Sequence, residues 1–91
     1  MGAMRKFRQP IYDREHVLLR DWLVQKRIAA RLTQRDLARN LGVIHSLIGK
    51  VEKGERRLDV IEFVAYCDGL DANPNELIEL IRTENRKVQE S

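Results

Sequence analysis

The sequence predicts an all-α domain of five short helices, and three observations carry that prediction. Apolar residues recur at three- and four-residue steps, helix start and stop signals punctuate the chain at short intervals, and no stretch alternates as a strand would. With 91 residues, 43% of them hydrophobic and 34% charged, the chain has enough apolar surface for one core, and a domain of this size buries about two-thirds of its surface on folding. A catalytic cleft between two domains is therefore not expected.

Taken in order, Met1-Gly2-Ala3 ahead of a second methionine at Met4 reads as a cloning remnant rather than a targeting peptide, because no apolar segment follows. Residues 1–12 are assigned to this remnant and a basic arm carrying Arg5, Lys6 and Arg8. The domain proper spans 13–82. Its first helix falls in 14–31, where Leu19, Trp22, Leu23 and Ala30 form the apolar stripe. Arg31 stands where a stop glycine is usual, at a cost of about 1 kcal/mol if the turn needs positive φ. Thr33 then caps a second helix, with Asp36 adding negative charge at its positive end. Leu37, Ala38 and Leu41 are its buried face, and Gly42 ends it.

Only Val43 and Ile44 separate Gly42 from a third helical pattern, HSLIGKVEKG, in which Ile48 and Val51 face inward and Gly54 is the stop. Two short helices joined by so tight a glycine turn cross steeply, in the manner of a helix-turn-helix. Asp59 and Glu62 read as a capping box opening a fourth helix, with Val60, Ile61, Phe63, Val64, Cys67 and Leu70 as apolar surface. Asn73-Pro74 opens a fifth with Leu77, Ile78, Leu80 and Ile81. Residues 83–91 are almost wholly polar and are expected to fray as a tail.

Formal net charge is +3, unevenly spread: residues 1–57 are basic and 58–91 acidic. That distribution suits a domain with one face toward phosphates and the other turned away. No apolar run reaches the roughly 18 residues of a membrane span, and the single Cys67 has no intrachain partner, so no membrane association and a reducing cytoplasm are expected. His16 and His45 lie on different helices without cysteine or carboxylate at metal-ligand spacing, and there is neither a nucleophile elbow nor a glycine-rich phosphate loop. Neither an enzyme, nor a metal site, nor a cofactor is expected.

The stretch LTQRDLARNLGVIHSLIGKVEKGERRLDVIEFVAYCDGL resembles the lambda-repressor-like (Cro/repressor, or XRE) helix-turn-helix family over residues 15–82. Leu32-Thr33-Gln34, Leu37-Ala38, Leu41-Gly42, Ile48, Glu52 and Gly54 coincide at the family's spacing. Within it, the Ile11-Tyr12 segment and GERRLDV are similar to those of short bacterial regulators. The resemblance implies a compact five-helix DNA-binding domain whose third helix enters the major groove of double-stranded DNA. It places the base-reading positions on His45, Ser46, Gly49 and Lys50, Lys50 being able to donate to guanine O6 and N7. Thr33 and Gln34, at the start of the second helix, are implied to hold a phosphate, as are Lys53, Arg56 and Arg57 in the following loop. Arg27 and Glu52 match a family salt bridge that orients the recognition helix.

The reading surface departs from the family in three places. Ile44 stands where a capping Ser or Thr is common, which forgoes about 1 kcal/mol. Gly49 lies in mid-helix, and Leu47 is apolar where an outward residue is expected. Ile44 and Leu47 either meet thymine methyls or, for Leu47, fold back onto the second helix. One recognition helix reads few base pairs, so a homodimer on a palindromic site is expected, with half-sites about 10 bp apart or a multiple. Leu77, Ile78, Leu80 and Ile81 exceed what one face of a short helix needs, and the resemblance puts the dimer contact there. The function expected is transcriptional regulation, most simply repression; the alternative is an antitoxin-type module on the same fold that binds a protein partner.

Overall fold

The computed structural model describes residues 12–90. The expectations for the cloning remnant, for Ile11 and for Arg5, Lys6 and Arg8 lie outside them. Among the described residues, five helices follow in order: α1 (Tyr12–Ala29), α2 (Gln34–Leu41), α3 (His45–Lys53), α4 (Val60–Leu70) and α5 (Pro74–Glu90). α1 is the spine, packed against α3, α4 and α5, while α2 is wedged between α3 and α4.

The core includes most of the positions the helical periodicity marked, and Tyr66, which it did not. Leu23, Leu37, Ile48, Cys67 and Leu77 are its fully buried members, with Trp22, Val51, Tyr66 and Leu70 around them. Ala30, read as part of the α1 stripe, is exposed in the turn beyond the helix. Trp22 ties α1 to α5, since its indole Nε1 donates to Glu76 Oε1 at 3.1 Å. Lys26 adds an ion pair to the same oxygen at 2.9 Å. The single thiol, Cys67, is a core group, and burial pushes it up to about 11. It is neither a disulfide partner nor a nucleophile at neutral pH.

Helix boundaries follow local chemistry. Thr33 Oγ1 accepts from Asp36 N at 3.0 Å and Asp36 Oδ2 accepts from Thr33 N at 2.9 Å, a reciprocal box rather than the one-sided cap the sequence suggested. Asp59 and Glu62 form the second box. Gly42 and Gly54 end α2 and α3 in the left-handed region, with φ of 69° and 82°. α1 ends differently: Arg31 adopts φ 60°, a conformation that an L-residue holds at a cost of about 1 kcal/mol. Arg31→Gly is accordingly expected to raise the melting temperature by several degrees; a lower value in a thermal melt would contradict the turn. Asp71 takes the same conformation at the end of α4, with φ 55°, a short polar side chain tolerating it better than most.

The C-terminal tail departs from expectation, because α5 continues to Glu90. Polarity was mistaken for fraying, yet Glu, Arg, Lys and Gln are good helix formers. Thr83 Oγ1 donates to Glu79 O at 3.0 Å, and Glu84 pairs with Arg14 of α1 at 3.5 Å, so this last stretch leans on the spine.

Candidate nucleic-acid interface

α3 is anchored by Ile48 and Val51, which are buried, and turns its opposite face outward. At about 100° per residue, His45, Ser46, Gly49, Lys50 and Lys53 share that face. All are exposed except Gly49, which is half-buried. Gly49 lies against the first residue of α2: a Cβ there would sit 3.6 Å from Gln34 Oε1, in ordinary contact. Packing therefore does not require a glycine at this position. The α3 start is uncapped, since Ile44 makes no side-chain hydrogen bond at the N-cap.

Leu47 separates from this set. It is half-buried and lines a shallow apolar hollow with Leu41, Val43, Ala65 and Tyr66, between the end of α2 and α4. Of the two expectations for Leu47, its half-burial beside Leu41 of α2 favours folding back. At about 100° per residue Leu47 stands at the edge of the outward face, between Lys50 and the buried Val51.

The orienting salt bridge is present and larger than a pair. Arg27 Nε donates to Glu52 Oε2 at 2.6 Å and Nη2 to Oε1 at 3.2 Å, while Nη1 donates to Leu32 O at 2.8 Å. Gln34 Nε2 donates to Glu52 Oε1 at 2.9 Å. The Glu52 carboxylate thus joins α1, α2 and α3, and Arg27 ties the α1–α2 turn to the same cluster. Gln34 neither caps its own helix, which Thr33 does, nor points wholly outward. One of its amide hydrogens is committed to α3.

The loop after α3 adds an ion pair that was not expected. Arg56 Nη1 and Nη2 donate to Glu62 Oε1 and Oε2 at 2.8 and 2.6 Å, so its guanidinium is engaged by α4. Arg56 thereby latches the loop to α4, and Lys53 and Arg57 are exposed. Arg20 of α1 lies over Gly54, close enough that a Cβ there would meet its guanidinium, and places a cation at the negative end of α3. The Arg56 guanidinium, and next the Asp59 amide, hold the Glu62 carboxyl down at about 2. A depressed carboxylate stabilises the fold above its unfolded pKa and ceases to do so as pH falls through the folded one. The melting-temperature advantage over Glu62→Gln is therefore expected to be full at pH 7, shrink below about 4.5 and vanish near 2. An advantage independent of pH would contradict the latch.

On α5, Leu77 is buried and Ile81 half-buried, both spent on the core, while Ile78 and Leu80 are exposed. Leu77 is thereby removed from the expected dimer contacts. Sequence reading missed the larger part of this surface: Val60 and Ile61, at 74% and 78% exposure, and Val64. With Ile78 and Ile81, Val60 and Val64 border an open apolar hollow of about 300 Å³ between α4 and α5. The signal was available, because Val60, Ile61, Phe63 and Val64, four large apolar residues in the first turn and a half of α4, cannot all face one core.

A helix-turn-helix domain family matches residues 19–80, which span α2, the Gly42 turn and α3 together with the surrounding helices. An XRE-family-like protein from Pseudomonas syringae pv. tomato is 36% identical, with a TM-score of 0.77 over 92% of this chain and 98% of its own. The chain belongs to the XRE, lambda-repressor-like helix-turn-helix family. This is a family of DNA-binding transcription regulators rather than enzymes. The restriction-modification controller protein C.AhdI from Aeromonas hydrophila is 32% identical, covering 68% of this chain and 94% of its own at a TM-score of 0.63. The controller protein C.Esp1396I, 21% identical with a TM-score of 0.63 over 77% of this chain and 90% of its own, shows likeness of fold alone. No curated protein matches the chain in sequence. Among the described residues, no helix is long and apolar enough to cross a membrane.

Proposed function

We propose that this XRE-family protein is a cytoplasmic transcriptional repressor that binds a palindromic operator as a homodimer and occludes the promoter. The observation that carries the reading is the outer face of α3, where His45, Ser46 and Lys50 are exposed on a helix fixed from behind by Ile48, Val51 and the Arg27–Glu52–Gln34 cluster. Lys50 donates to guanine O6 and N7, and His45 and Ser46 reach neighbouring base edges. Beside them, the Thr33–Gln34 end of α2 takes a phosphate on its exposed backbone N–H groups and the second amide hydrogen of Gln34. Lys53 and Arg57 hold the backbone on the other side.

The homodimer is supported by the exposed apolar face of Val60, Ile61, Val64 and Ile78, because isolated domains seldom leave such a cluster in water. Two copies joined through it present two α3 helices to one face of the duplex. The similarity to a restriction-modification controller protein supports a regulatory role.

Selection of bound duplexes from a random pool tests the reading. A two-fold symmetric consensus with half-sites about 10 bp apart, or a multiple, is expected. Salt-dependent binding with no consensus would make the protein a non-specific binder. Within the same assay, Lys53→Ala is expected to weaken all sites alike and to lower the slope of log affinity against log salt by about two, one for each subunit of the dimer. An unchanged slope would remove Lys53 from the backbone contact.

A further inference from the structure

We propose that Ile44 reads the C5 methyl group of a pyrimidine in the major groove, a proposal that rests on the placement of α3 given above. The first observation is a capping hydrogen bond given up. Thr33 and Asp59 cap α2 and α4 through complete boxes, and Asn73 Oδ1 accepts from Asn75 N at 3.0 Å at the start of α5, but Ile44 caps nothing at the start of α3. Ser or Thr there would serve the fold better.

Packing does not account for the isoleucine either. Ile44 is 73% exposed and belongs neither to the core nor to the hollow that takes Leu47. Leu47 and Ile44, three residues apart, are thus different things: one is half-buried against the fold and the other stands in water. Its neighbours along the chain, His45 and Ser46, are the exposed polar residues at the leading end of α3.

An apolar side chain at that end meets an apolar partner only when the helix is docked. The base edges of the major groove offer one such group, the C5 methyl. Thymine carries it in ordinary DNA, and 5-methylcytosine carries it in modified DNA. The contact needs no bond to form or break. It removes the isoleucine and one methyl from water, and a buried methyl-sized group is worth about 0.8 kcal/mol, or close to fourfold in affinity.

The test uses the selected site and changes one methyl at a time. Each thymine is replaced by deoxyuridine, and in a second series each cytosine by 5-methyldeoxycytidine. The expected result is a three- to sixfold loss at one thymine of each half-site for the wild type, with Ile44→Ser binding the thymine and uracil duplexes equally. If the methyl comes from modified cytosine, the second series shows the corresponding gain, again absent in Ile44→Ser. This variant gains a cap and is expected to melt a few degrees higher, so lost discrimination is not lost folding. Specific binding with no response in either series, or a response that persists in Ile44→Ser, overturns the assignment of Ile44 alone. Failure to select any specific site overturns the placement of α3, and the assignment falls with it.

Discussion

An Ile61→Asp protein is expected to bind its palindromic site about 10²- to 10⁴-fold more weakly than the wild type, while its fold survives. The expectation comes from two facts about one residue. Ile61 is 78% exposed in the single chain, so a carboxylate there displaces no core packing. It also lies in the first turn of α4, where negative charge is favourable to the helix dipole. In the proposed dimer the same position lies between two apolar faces, where an unpaired carboxylate loses its water and gains no partner. Binding then falls from two linked half-site contacts to one, and the loss is of effective concentration rather than of any base contact. Equilibrium sedimentation at micromolar concentration checks the cause and a binding titration checks the consequence. A variant that stays dimeric with unchanged affinity would place the dimer contact elsewhere.

The second large effect is on folding. Arg27→Ala is expected to destabilise the protein by about 3–5 kcal/mol, because it leaves the buried Glu52 carboxylate without its cation. Side-chain exposures of 15% for Arg27 and 9% for Glu52 make the pair largely but not fully buried, so the lower end of that range is expected. Gln34 remains as one neutral donor to the carboxylate, and the Leu32 carbonyl loses its partner as well. For a domain of this size each kcal/mol moves the melting temperature by about 4–8 °C, so a fall on the order of 20 °C is expected. The double variant Arg27→Met with Glu52→Gln buries no charge and is expected to recover much of the loss. Thermal melts of the two singles and the double measure the coupling. An Arg27→Ala protein with wild-type melting temperature would show the cluster to be ornamental.

What the sequence made legible was everything written in local chemistry. The caps at Thr33 and Asp59, the glycine stops at Gly42 and Gly54 and the strained turn at Arg31 each depend on one or two neighbouring residues, and each is where the letters put it. The Arg27–Glu52 pair joins residues far apart in the chain and was legible only through the family resemblance. What the sequence left undecided needed the angular position of a side chain in three dimensions. Leu47 and Ile44 are both apolar and three residues apart, yet one turns inward and the other does not. Arg56 and Arg57 are adjacent cations, but only the placement of Glu62 one turn into α4 shows that Arg56 is engaged within the fold. On α5 the four apolar residues looked equivalent until Leu77 was seen in the core, and the face left over on α4 was larger than the one expected on α5. The tail was misjudged because polarity and helix propensity are separate properties.

The central claim is that α3 lies in the major groove and reads bases through its outer face. Repeating the random-duplex selection with Lys50→Ala tests it most directly. The account predicts a two-fold consensus that keeps its spacing and most of its positions but loses preference at one symmetric pair of bases, with guanine the base no longer favoured. A consensus identical to that of the wild type, or one flattened evenly at every position, would contradict it.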